Sequence, residues 1–207
     1  GVTPPAESVL PLFVTVLAGN VVTAAMVATC LNTIDATALR RLHPAIAAAI
    51  ADVPWADTTT LVWNLTRWRA ALPAAVGLKS GAFGDADIVR LPPTLRSLDV
   101  SHSERLTQDV SFAHLPGLEV LDCSSADVAA ADLPPSLRKL RMMWYSEVHK
   151  SADFSHLRAL RVLECVGPLG IICPAAIASL PPSLEVLDLG CGFFDMTTCK
   201  WPVGGSL

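Results

Sequence analysis

Leu91-Pro92-Pro93-Thr94-Leu95-Arg96-Ser97-Leu98-Asp99-Val100 decides the fold, because the same phrase returns twice with few changes. The returns are Leu133-Pro134-Pro135-Ser136-Leu137-Arg138-Lys139-Leu140-Arg141-Met142 and Leu180-Pro181-Pro182-Ser183-Leu184-Glu185-Val186-Leu187-Asp188-Leu189. Between them stand two variants, Leu115-Pro116-Gly117-Leu118-Glu119-Val120-Leu121-Asp122-Cys123 and Leu157-Arg158-Ala159-Leu160-Arg161-Val162-Leu163-Glu164-Cys165. Aligned on the frame L-xx-L-x-apolar, the units start at Leu95, Leu118, Leu137, Leu160 and Leu184, in steps of 23, 19, 23 and 24 residues. A regular step of this size marks units that stack on one another.

The physics of stacking follows from the spacing. In each unit the second leucine and the apolar residue two places on, such as Leu98 and Val100, have the alternation of a short strand with one buried face. A unit this small cannot bury that face alone, so each strand must pair in parallel with its neighbours. A curved solenoid is predicted. Phe112-Ala113-His114-Leu115 recurs as Phe154-Ser155-His156-Leu157, which predicts a buried column of Phe behind the strands. The Pro-Pro pairs exclude helix and predict an extended approach to each strand.

These residues resemble the leucine-rich-repeat superfamily. The Leu-Pro-Pro-Ser-Leu version is similar to FNIP-type repeats and to the Leu-Pro-Pro-Ser-Leu repeats of bacterial effectors. The frame departs from the family at its ninth position, usually asparagine, which here holds Ser103, Ala126, Tyr145, Pro168 and Gly192. Waters or shorter turns are therefore expected to satisfy the backbone beyond each strand. The fold class implied is α/β, a leucine-rich-repeat solenoid with a curved parallel sheet of about five to six repeats, capped by an N-terminal helical cluster. Residues 1–74 form the helical part and 75–207 the repeats, with Ala75 to Arg90 a degenerate first unit.

The chain is 52% hydrophobic and 16% charged, with a net charge of -4 that arises wholly after residue 90. No basic stripe is visible, so a nucleic-acid partner is not expected. Cys123 and Cys165 hold the same inward strand position and read as small core fillers. The spacings from Cys165 to Cys173 and from Cys191 to Cys199 are too long for a zinc site. Reduced thiols in an intracellular compartment, cytoplasmic or nuclear, are expected.

Ahead of the repeats, Val9 to Asn32 carries no charge. Pro11, Gly19, Asn20 and three threonines argue against a membrane span there, and a buried helix entered at Asn20 is predicted from Val21 to Leu31. Asp35 is expected to cap a helix running through Leu42. Pro44 opens another, Ala45 to Asp52. Trp63, Leu65, Trp68 and Leu72 share a helical face and are predicted to pack against the first repeat. Leu31 to Leu42, with Ile46, Ile50 and Trp55, is similar to the later part of an F-box, and Leu10-Pro11 to its opening Leu-Pro. The resemblance implies that Leu10, Pro11, Leu31, Asp35, Leu39, Leu42 and Trp55 contact a Skp-type adaptor, the repeats selecting a client protein. The alternative is a cluster that only covers the open edge of the solenoid.

Side chains flanking the buried leucines must project from the concave face. The middle row reads Asp99, Asp122, Arg141, Glu164 and Asp188. With adjacent rungs about 4.8 Å apart, Arg141 should pair with both Asp122 and Glu164, as a structural charge ladder or as part of an acidic stripe for a basic partner. Met143, Trp144 and Tyr145 are the remaining candidates for a protein-binding surface. His114 and His156 are repeat-equivalent and read as scaffold. Phosphate-loop, nucleophile-elbow and metal-ligand motifs are missing. No catalytic residue, metal or cofactor is predicted, and the expected function is non-catalytic protein recognition, with a structural or assembly module, or the recognition part of a larger effector-type ubiquitin ligase, as rivals. The terminal strand offers an edge for pairing with another copy.

Overall fold

The computed structural model describes residues 31–124, 128–143, 153–166 and 178–188. Within them the chain is a repeat solenoid built on one parallel sheet of six strands. These are β1 (Gly77–Lys79), β2 (Ser97–Asp99), β3 (Val120–Cys123), β4 (Lys139–Met143), β5 (Val162–Val166) and β6 (Val186–Asp188), laid side by side in chain order. Helices α1 (Thr33–Leu39), α2 (Pro44–Ala51) and α3 (Leu65–Ala71) precede the sheet. A single-turn α4 (Asp85–Ile88) and a 3-10 turn (Ala130–Asp132) lie in the returns between strands.

The register places Leu78, Leu98, Leu121, Leu140, Leu163 and Leu187 in one column. The first five are buried and Leu187 is partly so. Two more columns flank it, Leu95, Leu118, Leu137 and Leu160 on one side and Val100, Cys123, Met142 and Cys165 on the other, all buried. Each such side chain contributes roughly 1.5 to 3 kcal/mol by leaving water, which is why stacking, and not the individual unit, stabilises the strands. Phe112 and Phe154 are buried as expected. The shorter unit between them puts Val128 and Ala130 into the core instead, so the aromatic column is interrupted.

The Pro-Pro pairs do not run straight into their strands. Leu95 N donates to Pro92 O (3.1 Å), Leu137 N to Pro134 O (3.2 Å) and Leu184 N to Pro181 O (3.1 Å), closing a turn with the second proline at its favoured position. Leu118 N to Leu115 O and Leu160 N to Leu157 O close the same turn in the other variant. Strand pairing resumes immediately. The amides of Arg96 and Ser97 both donate to Val76 O, and the pattern repeats at each rung up to Glu185 and Val186 on Arg161 O. The serine of Leu-Pro-Pro-Ser-Leu also has a job, since Ser136 Oγ donates to Leu118 O (2.7 Å) and Ser183 Oγ to Leu160 O (2.8 Å).

At the ninth frame position the expected water or short turn is replaced, in the one unit described there, by a side chain. Buried Ser103 Oγ donates to Ser80 O (3.1 Å), and buried Ser80 Oγ donates to Val62 O (2.8 Å). A hydroxyl is short enough to do locally what an asparagine does by reaching. Val62 belongs to an incomplete rung that the sequence reading missed. Val76 N and Gly77 N donate to Trp55 O (2.8 Å each), Leu61 bridges Lys79, and Val62 N donates to Lys79 O.

The helix termini differ from expectation. Asn32, not Asp35, caps α1, because its side chain accepts from Asp35 N at 2.9 Å and so places Asp35 inside the first turn. The helix stops at Leu39, three residues short of Leu42. α2 begins at Pro44 behind His43, whose ring nitrogen accepts from Ala45 N. α3 is capped by Asn64, and the predicted apolar face is only partly right: Leu65, Trp68 and Leu72 are buried, while Trp63 is 68% exposed because it lies before the helix starts. Ala36, Ile46 and Ile50 join the same continuous core as the strand leucines. The predicted helix from Val21 to Leu31 lies outside the described residues but for Leu31, which packs on that core. Among the described residues no helix is long and apolar enough to cross a membrane.

Candidate functional site

Strand alternation sends every second side chain to the outer face of the sheet, where two adjacent columns form. One reads Gly77, Ser97, Val120, Lys139, Val162, Val186, and the next Lys79, Asp99, Asp122, Arg141, Glu164, Asp188. The second contains five of the candidates read from the repeats. Arg141 stands between two acids, 3.5 Å from Asp122 and 3.6 Å from Glu164. Glu164 also accepts from Lys139 Nζ at 2.5 Å, and Asp99 from Lys79 Nζ at 2.6 Å. The acidic stripe is therefore a mixed-charge ladder. Lys79 and Lys139 escaped the sequence reading because one lies in the degenerate unit and the other two places ahead of the row considered.

Burial raises the Asp99 carboxyl, but the hydrogen bonds from Lys79 and Ser101 outweigh it and hold the group below the usual carboxylate range. Asp99 thus stays charged at neutral pH. The ladder's pairs are partly exposed, so each contributes about 0.2 to 1 kcal/mol, and their value lies in fixing a pattern of mixed charge across the face.

A second ladder runs along the edge where the chain approaches each strand. Arg96 meets Glu119 at 2.8 Å, Arg138 approaches the same carboxylate at 3.8 Å, and Arg161 pairs with Glu185. Arg96, Glu119 and Arg138 border an open groove of about 690 Å³ together with Pro93, Pro116 and Ser136. Its signal was present in the sequence, since these charges all follow the first leucine of the frame.

Of the other candidates, the Met143 backbone belongs to β4 and pairs with Val166. Its side chain, and Trp144 and Tyr145, lie outside the described residues, as do Leu10 and Pro11. Among the F-box-like positions Trp55 is buried and donates through Nε1 to Ile50 O (3.0 Å). Leu31 and Leu39 pack partly on the core, Asp35 is exposed on α1, and Leu42 is 56% exposed. The five described adaptor-contact candidates therefore do not share a face: three turn inward and two outward.

Cys123 and Cys165 are buried, unpaired thiols on either side of Met142 in the register. Burial pushes the Cys165 thiol up to about 12 and Cys123 upward as well, so both are poor nucleophiles. His156 Nε2 lies 3.2 Å from Leu133 O. Among the described residues no group of three or more His, Cys, Asp or Glu is placed to hold a metal ion.

Asp57 does structural work beside the incomplete rung. One carboxylate oxygen accepts from Thr33 N and Oγ1 (2.9 and 3.0 Å), the other from Thr59 N and Oγ1 and Thr60 N. Burial raises this carboxyl, yet the five hydrogen bonds outweigh it and hold it far below the usual range. With the folded value depressed, the stabilisation is complete above the unfolded value near 4 and is lost as pH falls towards the folded one. Asp57→Asn is expected to lower the urea midpoint at pH 7, with the gap to wild type narrowing steadily below about pH 4. A gap independent of pH would mean that the charge is irrelevant.

Comparison with known proteins finds nothing: no protein-family model, curated protein or solved structure matches the chain.

Proposed function

We propose that this chain is a non-catalytic protein-recognition module of the leucine-rich-repeat type, presenting the outer face of β1–β6 to a protein partner inside the cell. The observation that carries the reading is the charge pattern of Lys79, Asp99, Asp122, Arg141, Lys139 and Glu164, held in register on a rigid sheet. Fixed charges of both signs favour a partner of matching pattern and oppose others through like-charge contacts. Buried, unpaired Cys123 and Cys165 agree with a reducing compartment.

For the N-terminal helices the favoured reading is a cap on the first rung. Trp55 supports it, since its side chain is buried and its carbonyl receives the amides of Val76 and Gly77. The F-box-type reading, in which α1 and α2 engage a Skp-type adaptor of a ubiquitin ligase, draws on the exposed Leu42 and Asp35. A pull-down with a Skp-type adaptor at micromolar concentration separates the two, and lack of a complex leaves the cap.

The recognition face itself is tested with a photo-crosslinking residue placed in turn at Val120, Val162 and Asp109. Partner adducts are expected from Val120 and Val162, on the outer face, and not from Asp109, in a return loop. Equal labelling from all three, or labelling from Asp109 alone, would remove the sheet face as the binding surface.

A further inference from the structure

We propose that a second docking site lies in the groove between α1, α3 and the Thr60–Asn64 segment, and that its occupant is a linear peptide of a partner protein carrying a bulky apolar side chain beside Asp or Glu. The groove encloses about 480 Å³. Ile34, Leu61 and Trp63 line it and are 65%, 40% and 68% exposed, three of the six large hydrophobic side chains that the described residues leave in water. Single exposed apolar residues are ordinary, but a set gathered around one depression marks an interaction site.

The charges around the groove choose the occupant. Arg41 and Arg67 line it, no acidic residue does, and among the described residues neither guanidinium has an ion-pair or hydrogen-bond partner. The contrast with the sheet is informative, for there Lys79, Arg96, Arg138, Lys139, Arg141 and Arg161 are all paired within the chain. Two unpaired cations flanking an apolar slot complement a carboxylate next to a hydrophobic anchor. Arginine forks bind carboxylates in two-point fashion, and exposed tryptophan supplies the stacking surface. The groove also contains Trp68, whose buried Nε1 has no acceptor among the described residues, whereas the Trp55 Nε1 is satisfied. A peptide carbonyl that parts the side chains sealing it would supply one.

The test selects ligands for the full chain from a phage-displayed library of random short peptides, then titrates the best, fluorescently labelled, by anisotropy. Selected sequences are expected to join Leu, Phe or Trp to nearby Asp or Glu. Binding should weaken by roughly tenfold or more in Trp63→Ser and in Arg67→Glu, with urea midpoints near wild type because both side chains are exposed. Arg141→Glu, on the sheet face, should change it less than about twofold, which keeps this site distinguishable from the surface proposed above. Failure to enrich any peptide, enrichment of basic or uncharged ones, or affinities indifferent to Trp63 and Arg67 would overturn the proposal. So would self-association in sedimentation velocity that disappears in Trp63→Ser, which would assign the groove to a second copy of the chain.

Discussion

Gly77→Ala is expected to destabilise the protein by about 3 kcal/mol or more, read as a large drop in the urea midpoint with an unchanged slope. A methyl group at this position would stand 2.4 Å from the Ala56 carbonyl carbon, 2.6 Å from its oxygen and 2.7 Å from its Cα. All three are backbone atoms, so no side chain can turn aside. Moving the Ala56 segment away would instead pull Trp55 O from the amides of Val76 and Gly77, which it accepts at 2.8 Å each. Gly117→Ala is the control. There the nearest atoms are 3.7 and 3.8 Å away, and a change within about 0.5 kcal/mol is expected. Equal, small effects at both glycines would show that the incomplete rung does not press against β1.

Leu121→Ala should cost about 2 to 5 kcal/mol. Leu121 is fully buried and in register with Leu98 on one side and Leu140 on the other. A cavity there loosens two rung interfaces at once, and in a stacked array each interface contributes to its neighbours' stability. Leu187→Ala, in the partly buried last described rung, should cost clearly less, and Val186→Ala, 48% exposed, within about 0.5 kcal/mol. A denaturation series in which Leu121→Ala and Leu187→Ala lose the same amount would contradict a leucine column whose burial falls away at its last described rung.

The candidate surface was legible where it repeats. Asp99, Asp122, Arg141, Glu164 and Asp188 share one frame position, and a parallel register with a fixed rise brings equal frame positions together. Lys79 was hidden because its unit keeps only Ala75 and Leu78 of the frame. Lys139 sits in the neighbouring column and reaches Glu164 through a long flexible stem, a diagonal contact that frame counting does not reveal. The cap of α1 was misassigned because Asn32 and Asp35 are both good capping residues, and only the backbone path decides which side chain meets which amide. Trp63 was misplaced for a related reason, since helical spacing says nothing of where the helix begins.

By itself the sequence determined the stacked leucine columns, the parallel order of the strands and the charged row between them, because a period repeated along the chain becomes a contact repeated in space. The tertiary structure alone decided the features that occur once: the rung completed by Trp55 and Val62, the close approach that requires Gly77, the Asp57 clasp on α1 and the apolar groove flanked by Arg41 and Arg67. Each joins segments whose spacing has no period, and only the packed chain sets which of their atoms meet.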